Sequence, residues 1–540
     1  MRTPSPILVI GLDGATFDVL RPLIDIGDLP VLGGLVAAGA HGLLDSVIPP
    51  ITPTAWSSFL TGKEPGKHGI YDFHVFDPRL RRTSFITSRA LREPTLWELL
   101  TRAGRRVAVV NLPMMFPPPT DAGTVVSGFD TPSTSAPFTH PPELREEILA
   151  RYPDYRFVAT PPADDENLVR PGSLEAFAAA AERTIDQRAG VALELLGRGP
   201  WDVCMLHVQD TDALQHRGWR FLAQPDRYPE QWERLRRVYR RLDAHLGTLL
   251  AAAPRDALTV VLSDHGFGPY TGSVYPNVLL ERWGYLSWRG RTRERLARSL
   301  RKRLARLGLR PKGPSREASW IARSRARTLE GTLPLRWRRT RAYVPISDIY
   351  GQLFLNARGR EPDGVVEPGA ASAALREEIR TRLLAERDPG TGRPVFANVA
   401  RGEEVYPDDA LGRRPDLVLI PEPGFTVSRG LNLRRWLDHH AILSGTHRQQ
   451  GILIASGPGI RPGPLTRPAR ITDLAPTILA ACGLPVPDDM DGRVLTELFE
   501  VPPEVRTAAA TGARRGDDAA LSDEEEAQVG DRLRALGYLE

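Results

Sequence analysis

Cysteine is scarce in this chain, whose 540 residues contain only two, Cys204 and Cys482. Neither has a partner at metal-ligand spacing, which excludes a disulfide scaffold and a thiolate metal site. Long apolar runs are lacking as well. Because no segment approaches about 18 consecutive apolar residues, no membrane span is predicted. The opening "MRTPSPILVIGLDG" runs straight into a strand, so no signal peptide is expected and the cytoplasm is the expected location.

An excess of charge of one sign is also missing, since Lys and Arg number 71 against 66 Asp and Glu, a net charge of +5. This balance does not by itself imply nucleic acid. The arginines are concentrated between Arg282 and Arg341, as in "RGRTRERLARSLRKRLARLGLRPKG". We interpret this block as a solvated helical cap; a surface for anionic substrates, lipid headgroups or nucleic acid is left open.

Short apolar runs recur along the chain and predict buried strands of a mainly parallel sheet. Helical patterns lie between them, which places the chain in the α/β class. The runs are "ILVIGL" from Ile7, "VAVVNL" from Val107, "VCMLHV" from Val203, "LTVVLS" from Leu258, "DLVLI" from Asp416 and "GILIAS" from Gly451. The clearest helices start at Thr95, Leu174 and Pro229.

We predict four regions from the changes in composition. Residues 1–280 and 341–500 form two parts of a catalytic core, and the arginine-rich residues 281–340 form an inserted helical cap. Residues 501–540 form a linker and a short amphipathic helix, "EEEAQVGDRLRALGYLE", that packs on a domain or on a partner. A homodimer through this helix is left open.

Carboxylate and imidazole side chains follow the predicted strands, and His447 stands just ahead of the run from Gly451, which puts them at the sheet edge where ligands bind in α/β folds. Asp212 and His216 are four residues apart, so a helical turn projects them to one side. Carboxylate and imidazole ligands without thiolate suit zinc, with manganese as the alternative. Taken singly, each residue has an ordinary structural role, but their joint placement predicts a site: Asp13, Asp212, His216, Asp264, His265 and His447.

The stretch "PPITPTAWSSFLTG" predicts a helix that starts near Pro53 and stops at Gly62. Thr52 would be the N-cap residue. Since a helix N-terminus also binds phosphate, the Thr52 hydroxyl is either a plain cap or a nucleophile that faces an anion.

These pieces together resemble the alkaline phosphatase superfamily, and most of all its type I phosphodiesterase/nucleotide pyrophosphatase branch. The resemblance covers about residues 5–275 and 340–500 and implies an alkaline phosphatase-like α/β/α sandwich. It is carried by "VIGLDGA", "TPTAWSSFLTGKEPGKHGI", "DTDALQH", "LSDHGFGP", "SGTHRQQGILIASGPGI" and "ITDLAPTILAACGLPVPDDMDGRVL".

The resemblance implies a division of roles. One divalent ion would be held by Asp13, Asp264 and His265 together with the oxygen of Thr52, and a second by Asp212, His216 and His447. Two such ions can activate a nucleophile and stabilise the charge that develops on a phosphoryl group. His68 in "PGKHGI" also matches a family position, where a structural role is expected.

The sequence departs from the family pattern at the nucleophile. Proline follows Thr52 directly, and the asparagine that holds a phosphate oxygen in the pyrophosphatases is missing, which leaves Thr54 as a rival nucleophile. Thr52 is preferred because it lies ten residues before Gly62, the family offset. Threonine cannot become formylglycine, so sulfatase activity is excluded, and neither the serine nor the third metal site of an alkaline phosphatase proper is identified.

The sequence thus predicts a two-metal phosphodiesterase or related phosphohydrolase with Thr52 as the nucleophile, acting on a small phosphate ester or an anionic polymer. The alternatives are a phosphomonoesterase or phosphotransferase on the same site, a catalytically silent binding protein, and a nucleic-acid-binding protein dominated by its basic block. The complete set of ligands argues against the silent protein.

Overall fold

Five of the six apolar runs form the middle of a central β-sheet, and four of them are buried along their whole length. The computed structural model describes residues 5–540 except 163–164, 166–167, 169, 171, 289–334, 348, 431–434, 440–442, 511, 513–520, 537 and 539–540. In chain order the strands are β1 (Ile7–Leu12), β2 (Ala40–Asp45), β3 (His74–Asp77), β4 (Arg82–Phe85), β5 (Val107–Leu112), β6 (Thr124–Ser127), β7 (Thr139–His140), β8 (Val203–Val208), β9 (Leu258–Leu262), β10 (Gly266–Pro269), β11 (Gly272–Val274), β12 (Ala342–Ser347), β13 (Gly351–Leu355), β14 (Phe396–Arg401), β15 (Leu417–Pro421), β16 (Phe425–Val427), β17 (Leu437–Asp438), β18 (Gly445–Arg448), β19 (Gln450–Ser456), β20 (Gly463–Pro464), β21 (Ala469–Arg470), β22 (Val486–Pro487) and β23 (Thr507–Ala508).

Helices form where the periodic patterns predict them. The helix predicted from Thr95 starts with a capping box, in which the Thr95 hydroxyl accepts from the Glu98 N–H and the Glu98 carboxylate accepts from the Thr95 N–H. The helices are α1 (Phe17–Asp25), α2 (Pro30–Ala38), α3 (Thr52–Thr61), α4 (Pro65–His68), α5 (Leu96–Arg102), α6 (Glu143–Arg151), α7 (Ser173–Gly197), α8 (Asp210–Ala223), α9 (Pro229–Ala252), α10 (Pro276–Arg282), α11 (Ala370–Ala385), α12 (Gly402–Val405), α13 (Leu474–Ala481) and α14 (Asp523–Leu536).

The central sheet has the order β20-β2-β19-β9-β1-β8-β5-β6-β7. Its five strands from β9 to β6 are parallel, which confirms the mainly parallel sheet. The strand predicted from Gly451 belongs to this sheet, but it runs antiparallel between β2 and β9. Because β1, β8 and β9 pair in register, the residues that follow them emerge side by side at one edge.

The strand predicted from Asp416 does not join this sheet, so that part of the prediction is wrong. As β15 it lies in a second, antiparallel sheet of order β12-β13-β15-β14. This sheet has its own apolar core, in which Leu353 and Leu417 pack with Ile379 and Leu383 of α11. A run of five apolar residues does not reveal which of two sheets a strand enters.

Most of the predicted arginine-rich cap, 281–340, lies outside the described residues. The predicted C-terminal helix forms as α14 and packs on this same chain, with Val529, Leu533 and Leu536 in the main apolar core. Within the described ranges, no helix combines the length and apolar character that crossing a membrane requires.

Candidate active site

The carboxyl edge of the parallel strands brings the predicted site residues together. Asp13 follows β1, Asp212 lies in the first turn of α8 after β8, and Asp264 follows β9. The antiparallel pair of β10 and β18 adds His447, which pairs with Phe267 two positions after His265. Every one of these side chains is buried. The geometry therefore assembles residues that are up to about 430 positions apart in the sequence.

The first donor group consists of Asp212, His216 and His447. Asp212 Oδ1 lies 3.4 Å from His216 Nε2 and 3.3 Å from His447 Nε2. The two Nε2 atoms are 3.0 Å apart. A zinc ion about 2.0–2.1 Å from each tetrahedral ligand requires ligand atoms about 3.4 Å apart, so the spacing of this group fits such an ion.

The second donor group consists of Asp13, Asp264 and His265, with Thr52 beside it. His265 Nε2 lies 3.5 Å from Asp13 Oδ1 and 3.4 Å from Asp264 Oδ2. The Thr52 hydroxyl oxygen lies 3.4 Å from Asp13 Oδ1 and 3.5 Å from His265 Nε2. Four oxygen and nitrogen donors thus surround a second position of the same size.

The hydrogen bonds of the three histidines decide which ring nitrogen faces the site. Each ring places Nδ1 against a backbone carbonyl: His216 against Gly445 at 3.3 Å, His265 against Gly266 at 3.1 Å, and His447 against Pro50 at 2.8 Å. A carbonyl can only accept, so Nδ1 carries the proton and Nε2 turns a lone pair inward. Metal-ligating histidines are held in this way.

Carboxylate oxygens in both groups lack hydrogen-bond donors among the described residues, namely Asp212 Oδ1 and Asp264 Oδ2. Burial, together with the charge of Asp13, raises the pKa of both carboxyl groups well above the ordinary value. Burial also lowers the pKa of His265 and of His447 to about 4. Carboxylate oxygens without a donor, next to the lone pairs of the histidine Nε2 atoms, are unfavourable when nothing lies between them. The same arrangement is favourable around a cation, so these residues fit two divalent ions.

Comparison with known proteins places the chain. A model of the type I phosphodiesterase/nucleotide pyrophosphatase family matches residues 7–448. The chain belongs to this family. As a family member it is a hydrolase that acts on phosphoric ester bonds. No curated protein matches the sequence significantly.

Solved structures share the fold of this phosphodiesterase-family chain. Phosphonoacetate hydrolase from Sinorhizobium meliloti 1021 in complex with phosphonoformate is 19% identical, with a TM-score of 0.56, and the match covers 89% of this chain and 96% of that one. Its complex with phosphonoacetate gives 18% identity, a TM-score of 0.55 and the same coverage. Human ectonucleotide pyrophosphatase/phosphodiesterase 5 is 13% identical, with a TM-score of 0.51, and the match covers 92% of this chain and 100% of that one. At these identities the likeness concerns the fold.

The phosphodiesterase-family site holds Asp13 with two residues that the sequence analysis missed. Asp13 Oδ2 accepts a hydrogen bond from Trp56 Nε1 at 3.0 Å and lies 3.0 Å from His207 Nε2. Burial acts to raise the pKa of Asp13, but the hydrogen bond and charge of His207, the charge of His265 and the hydrogen bond from Trp56 together keep this pKa below the ordinary value. Trp56 lies one helical turn after Thr52, a spacing that could have indicated it. His207 lies within the apolar run of β8 and gave no signal.

Thr52 is the first residue of α3, and the N-cap residue is Ile51, which makes no side-chain cap bond. The predicted cap at Thr52 is therefore wrong by one position. The helix does end at Gly62, as predicted, with φ 67° and a bond from its N–H to Ser58 O. The Thr52 hydroxyl is free of capping and faces Asp13 and His265 instead. The rival Thr54 is buried, and its hydroxyl has no partner among the described residues.

The C-terminal segment reaches this site as well. The Tyr538 hydroxyl lies 2.9 Å from Thr52 Oγ1 and 2.8 Å from Asp212 Oδ2, and it accepts from Gln209 Nε2 at 3.0 Å. Burial, with the negative charge of Asp212, raises the pKa of Tyr538 well above its ordinary value. The sequence analysis predicted the helix that carries this residue but gave it no role in the site.

His68 lies behind α3, outside both donor groups. Its Nδ1 accepts from the Ile70 N–H at 3.2 Å, so Nε2 carries the proton and donates to Ser58 Oγ at 2.8 Å. Burial, aided by the charge of Lys63, lowers the pKa of His68 to about 3. These bonds support the structural role expected for this residue.

Proposed function

We propose that this family member hydrolyses a phosphoric diester with Thr52 as the nucleophile and with two divalent metal ions, zinc in preference to manganese. One observation carries the proposal most directly. The Thr52 hydroxyl, which needs activation to attack phosphorus, lies 3.4 Å from Asp13 Oδ1 and 3.5 Å from His265 Nε2, beside the second donor group.

In this proposal Asp13, Asp264, His265 and Thr52 would hold one ion, and Asp212, His216 and His447 the other. When bound, such ions lower the pKa of a hydroxyl group and neutralise charge on a phosphoryl oxygen. The protein's own contribution is position: Trp56 and His207 fix Asp13, and backbone carbonyls fix the three histidines.

The chemistry then follows from the place of Thr52. The Thr52 hydroxyl gives up its proton and its oxygen forms a bond to phosphorus, while the bond to the oxygen of the leaving alcohol or nucleotide breaks on the opposite side and that oxygen takes up a proton. Water then cleaves the phosphothreonine and restores the hydroxyl. Thr52 stands at the start of α3, where the helix dipole favours an anion, so the negative phosphoryl group gains further stabilisation there.

A phosphomonoesterase or phosphotransferase would use the same residues, so turnover must separate them. We would compare bis-p-nitrophenyl phosphate with p-nitrophenyl phosphate as substrates, with added zinc or manganese. Diester preference that is lost in Thr52→Ala but kept in Thr54→Ala supports the proposal. Preference for the monoester would show that the enzyme is a phosphatase and not a diesterase. Loss in Thr54→Ala alone would move the nucleophile to Thr54.

The remaining features stay predictions: a catalytic core formed by 1–280 and 341–500, a cap at 281–340, a linker and helix at 501–540, and a cytoplasmic location. The substrate class, small ester or anionic polymer, and a homodimer also stay open. A catalytically silent protein is disfavoured because both donor groups are complete.

A further inference from the structure

The C-terminal segment supplies a hydroxyl group to the centre of the site. Tyr538 Oη accepts a hydrogen bond from Gln209 Nε2, so its own proton points to Asp212 Oδ2, a carboxylate that can only accept. Thr52 Oγ1 lies 2.9 Å from Tyr538 Oη. The tyrosine hydroxyl therefore lies between the proposed nucleophile and a proposed metal ligand.

The ring of Tyr538 is fixed by aromatic packing. Its centroid lies 4.8 Å from that of Phe73 and 6.2 Å from that of Phe129, on which it stacks, and it meets His216 edge-on at 5.3 Å. The side chain is 3% exposed. Such packing on several sides holds the hydroxyl in one place.

The helix that carries Tyr538 is docked by polar contacts as well as by its apolar face. Arg217, which is buried and directly follows His216, donates to the carbonyls of Arg534 and Ala535 at the end of α14. Arg532 donates to the carbonyls of Phe129 and Pro132 on the facing loop. The bonds of Arg217 tie the end of α14 to the helix that carries Asp212 and His216, and those of Arg532 tie it to the loop after β6.

Release of this segment would be unfavourable. Val529, Leu533, Leu536 and Tyr538 all belong to the main apolar core, so undocking would expose all four to water. It would also remove the carbonyl acceptors of the buried Arg217. These costs argue for a permanent part of the site and against a plug that leaves during turnover.

We propose that Tyr538 is a further catalytic residue: when substrate binds, its single hydroxyl proton turns from Asp212 Oδ2 to an oxygen of the phosphoryl group that Thr52 attacks, while its oxygen still accepts from Gln209 and stays beside Thr52. The proposal rests on the proposed function of this site. A group 2.9 Å from the attacking oxygen is within reach of the oxygens bonded to the attacked phosphorus. A preorganised donor of this kind is typically worth about 100- to 1,000-fold in kcat, and the cost of turning this proton away from Asp212 reduces the expected loss.

The test compares Tyr538→Phe, which keeps the ring, with Tyr343→Phe. Tyr343 is a similarly buried tyrosine in β12 of the second sheet, and its hydroxyl donates to Glu361 Oε1 at 3.0 Å. We expect kcat on the preferred p-nitrophenyl ester to fall about 10- to 100-fold in Tyr538→Phe with little change in KM, and to stay unchanged in Tyr343→Phe. Metal content should equal that of the wild type.

Binding of inorganic phosphate to the metal-loaded protein, measured by calorimetry, gives a readout that does not depend on turnover. Tyr538→Phe should weaken it about tenfold. Equal phosphate binding and equal kcat in the two proteins would overturn the role of Tyr538. Higher kcat in Tyr538→Phe, or in Leu533→Ala, which loosens α14, would also overturn it and identify the segment as an inhibitory plug.

The two proposals fail separately. Absence of turnover of both esters by the wild type, with either metal, would refute the phosphohydrolase function. Phosphate binding would still decide whether Tyr538 contacts a phosphoryl oxygen. Wild-type turnover that is lost in Thr52→Ala but unaffected by Tyr538→Phe would retain the function and reject the role of the tyrosine.

Discussion

His216 and His447 point their Nε2 atoms at each other across 3.0 Å, while the Nδ1 atom of each ring bonds to a backbone carbonyl. Neither neutral ring has a proton on Nε2 to donate, so two lone pairs face one another beside Asp212 Oδ1. The fold holds this repulsive arrangement in place, because the carbonyls that orient the rings belong to β18 and to the residues before α3. A bound cation would turn that repulsion into attraction.

We therefore expect the protein to bind about two zinc ions per chain and to melt at a higher temperature with zinc than after chelation, since a ligand that binds only the folded state stabilises it.

His447→Ala should retain about one ion and lose more than about 100-fold in activity, beyond the loss typical of a residue that merely orients a ligand. His245→Ala, which removes a surface contact to Asp186, is the matched control. Metal analysis and calorimetric melting test this. Full metal content in His447→Ala would contradict it.

Trp56→Phe tests how Asp13 is held. The change removes the N–H that donates to Asp13 Oδ2 at 3.0 Å and keeps an aromatic ring against Phe59 and His207. We expect a loss of about 10- to 100-fold in metal affinity or activity, as is usual for residues that orient metal ligands.

Trp97→Phe is the control for Trp56→Phe. Trp97 is equally buried, and its Nε1 has no hydrogen-bond partner among the described residues. Its loss should affect stability alone. Equal metal affinity in the two variants, measured by competition with a chelating dye, would show that the bond to Asp13 does not matter.

The sequence predicted the positions of the donor groups well because the relevant signals are local. A strand followed by a carboxylate places that carboxylate at the sheet edge, so Asp13 and Asp264 could be assigned without knowing the strand order. Asp212 and His216 share one face of α8 through their spacing. His447 was predicted from its place directly ahead of the apolar run from Gly451, but its closeness to His216 depends on the pairing of β10 with β18.

What the sequence did not predict depends on contacts over long distances. The strand after Asp416 has the same apolar character as those of the central sheet, and only packing against α11 shows that it belongs elsewhere. Tyr538 follows the helical pattern of α14 by two residues, so nothing local distinguishes it from an ordinary apolar residue at a chain end. The N-cap of α3 was misplaced by one position because proline suits both of the first two helical positions.

Gly14→Ala should disturb both donor groups together. Gly14 has φ +64°, and an added Cβ would lie 2.9 Å from the ring of Phe267 and 3.3 Å from Asp212 Oδ1. The Gly14 N–H also donates to Asp264 Oδ1 at 3.1 Å. We expect a loss of activity of at least about tenfold together with weaker metal binding, because any shift of this turn moves ligands of both ions.

Gly104→Ala separates the backbone cost from the effect on the site. Gly104 has φ +76° and no atom within 4 Å of an added Cβ. This control should lose about 1 kcal/mol of stability, the usual cost of a left-handed conformation for alanine, and keep full activity. Similar activities in the two variants, once the loss of stability is matched by temperature, would show that Gly14 matters only for its backbone.

His68 predicts how stability depends on pH. Its folded-state pKa of about 3 lies below the ordinary value of 6.5, so the unfolded chain binds the proton more readily. The stabilisation is complete above pH 6.5 and is lost as the pH falls toward 3, at up to about 1.4 kcal/mol per pH unit. Between pH 8 and pH 5 this amounts to about 2 kcal/mol.

In His68→Gln the side-chain amide can still donate to Ser58 but does not titrate in this range. The difference in free energy of unfolding between wild type and variant, measured by urea titration with chelator present, should therefore fall by this amount over the same range. The other buried histidines titrate in both proteins and cancel in the difference. A difference that stays constant with pH would mean that His68 binds its proton as readily in the folded protein as in the unfolded chain, so that its pKa is not lowered by burial.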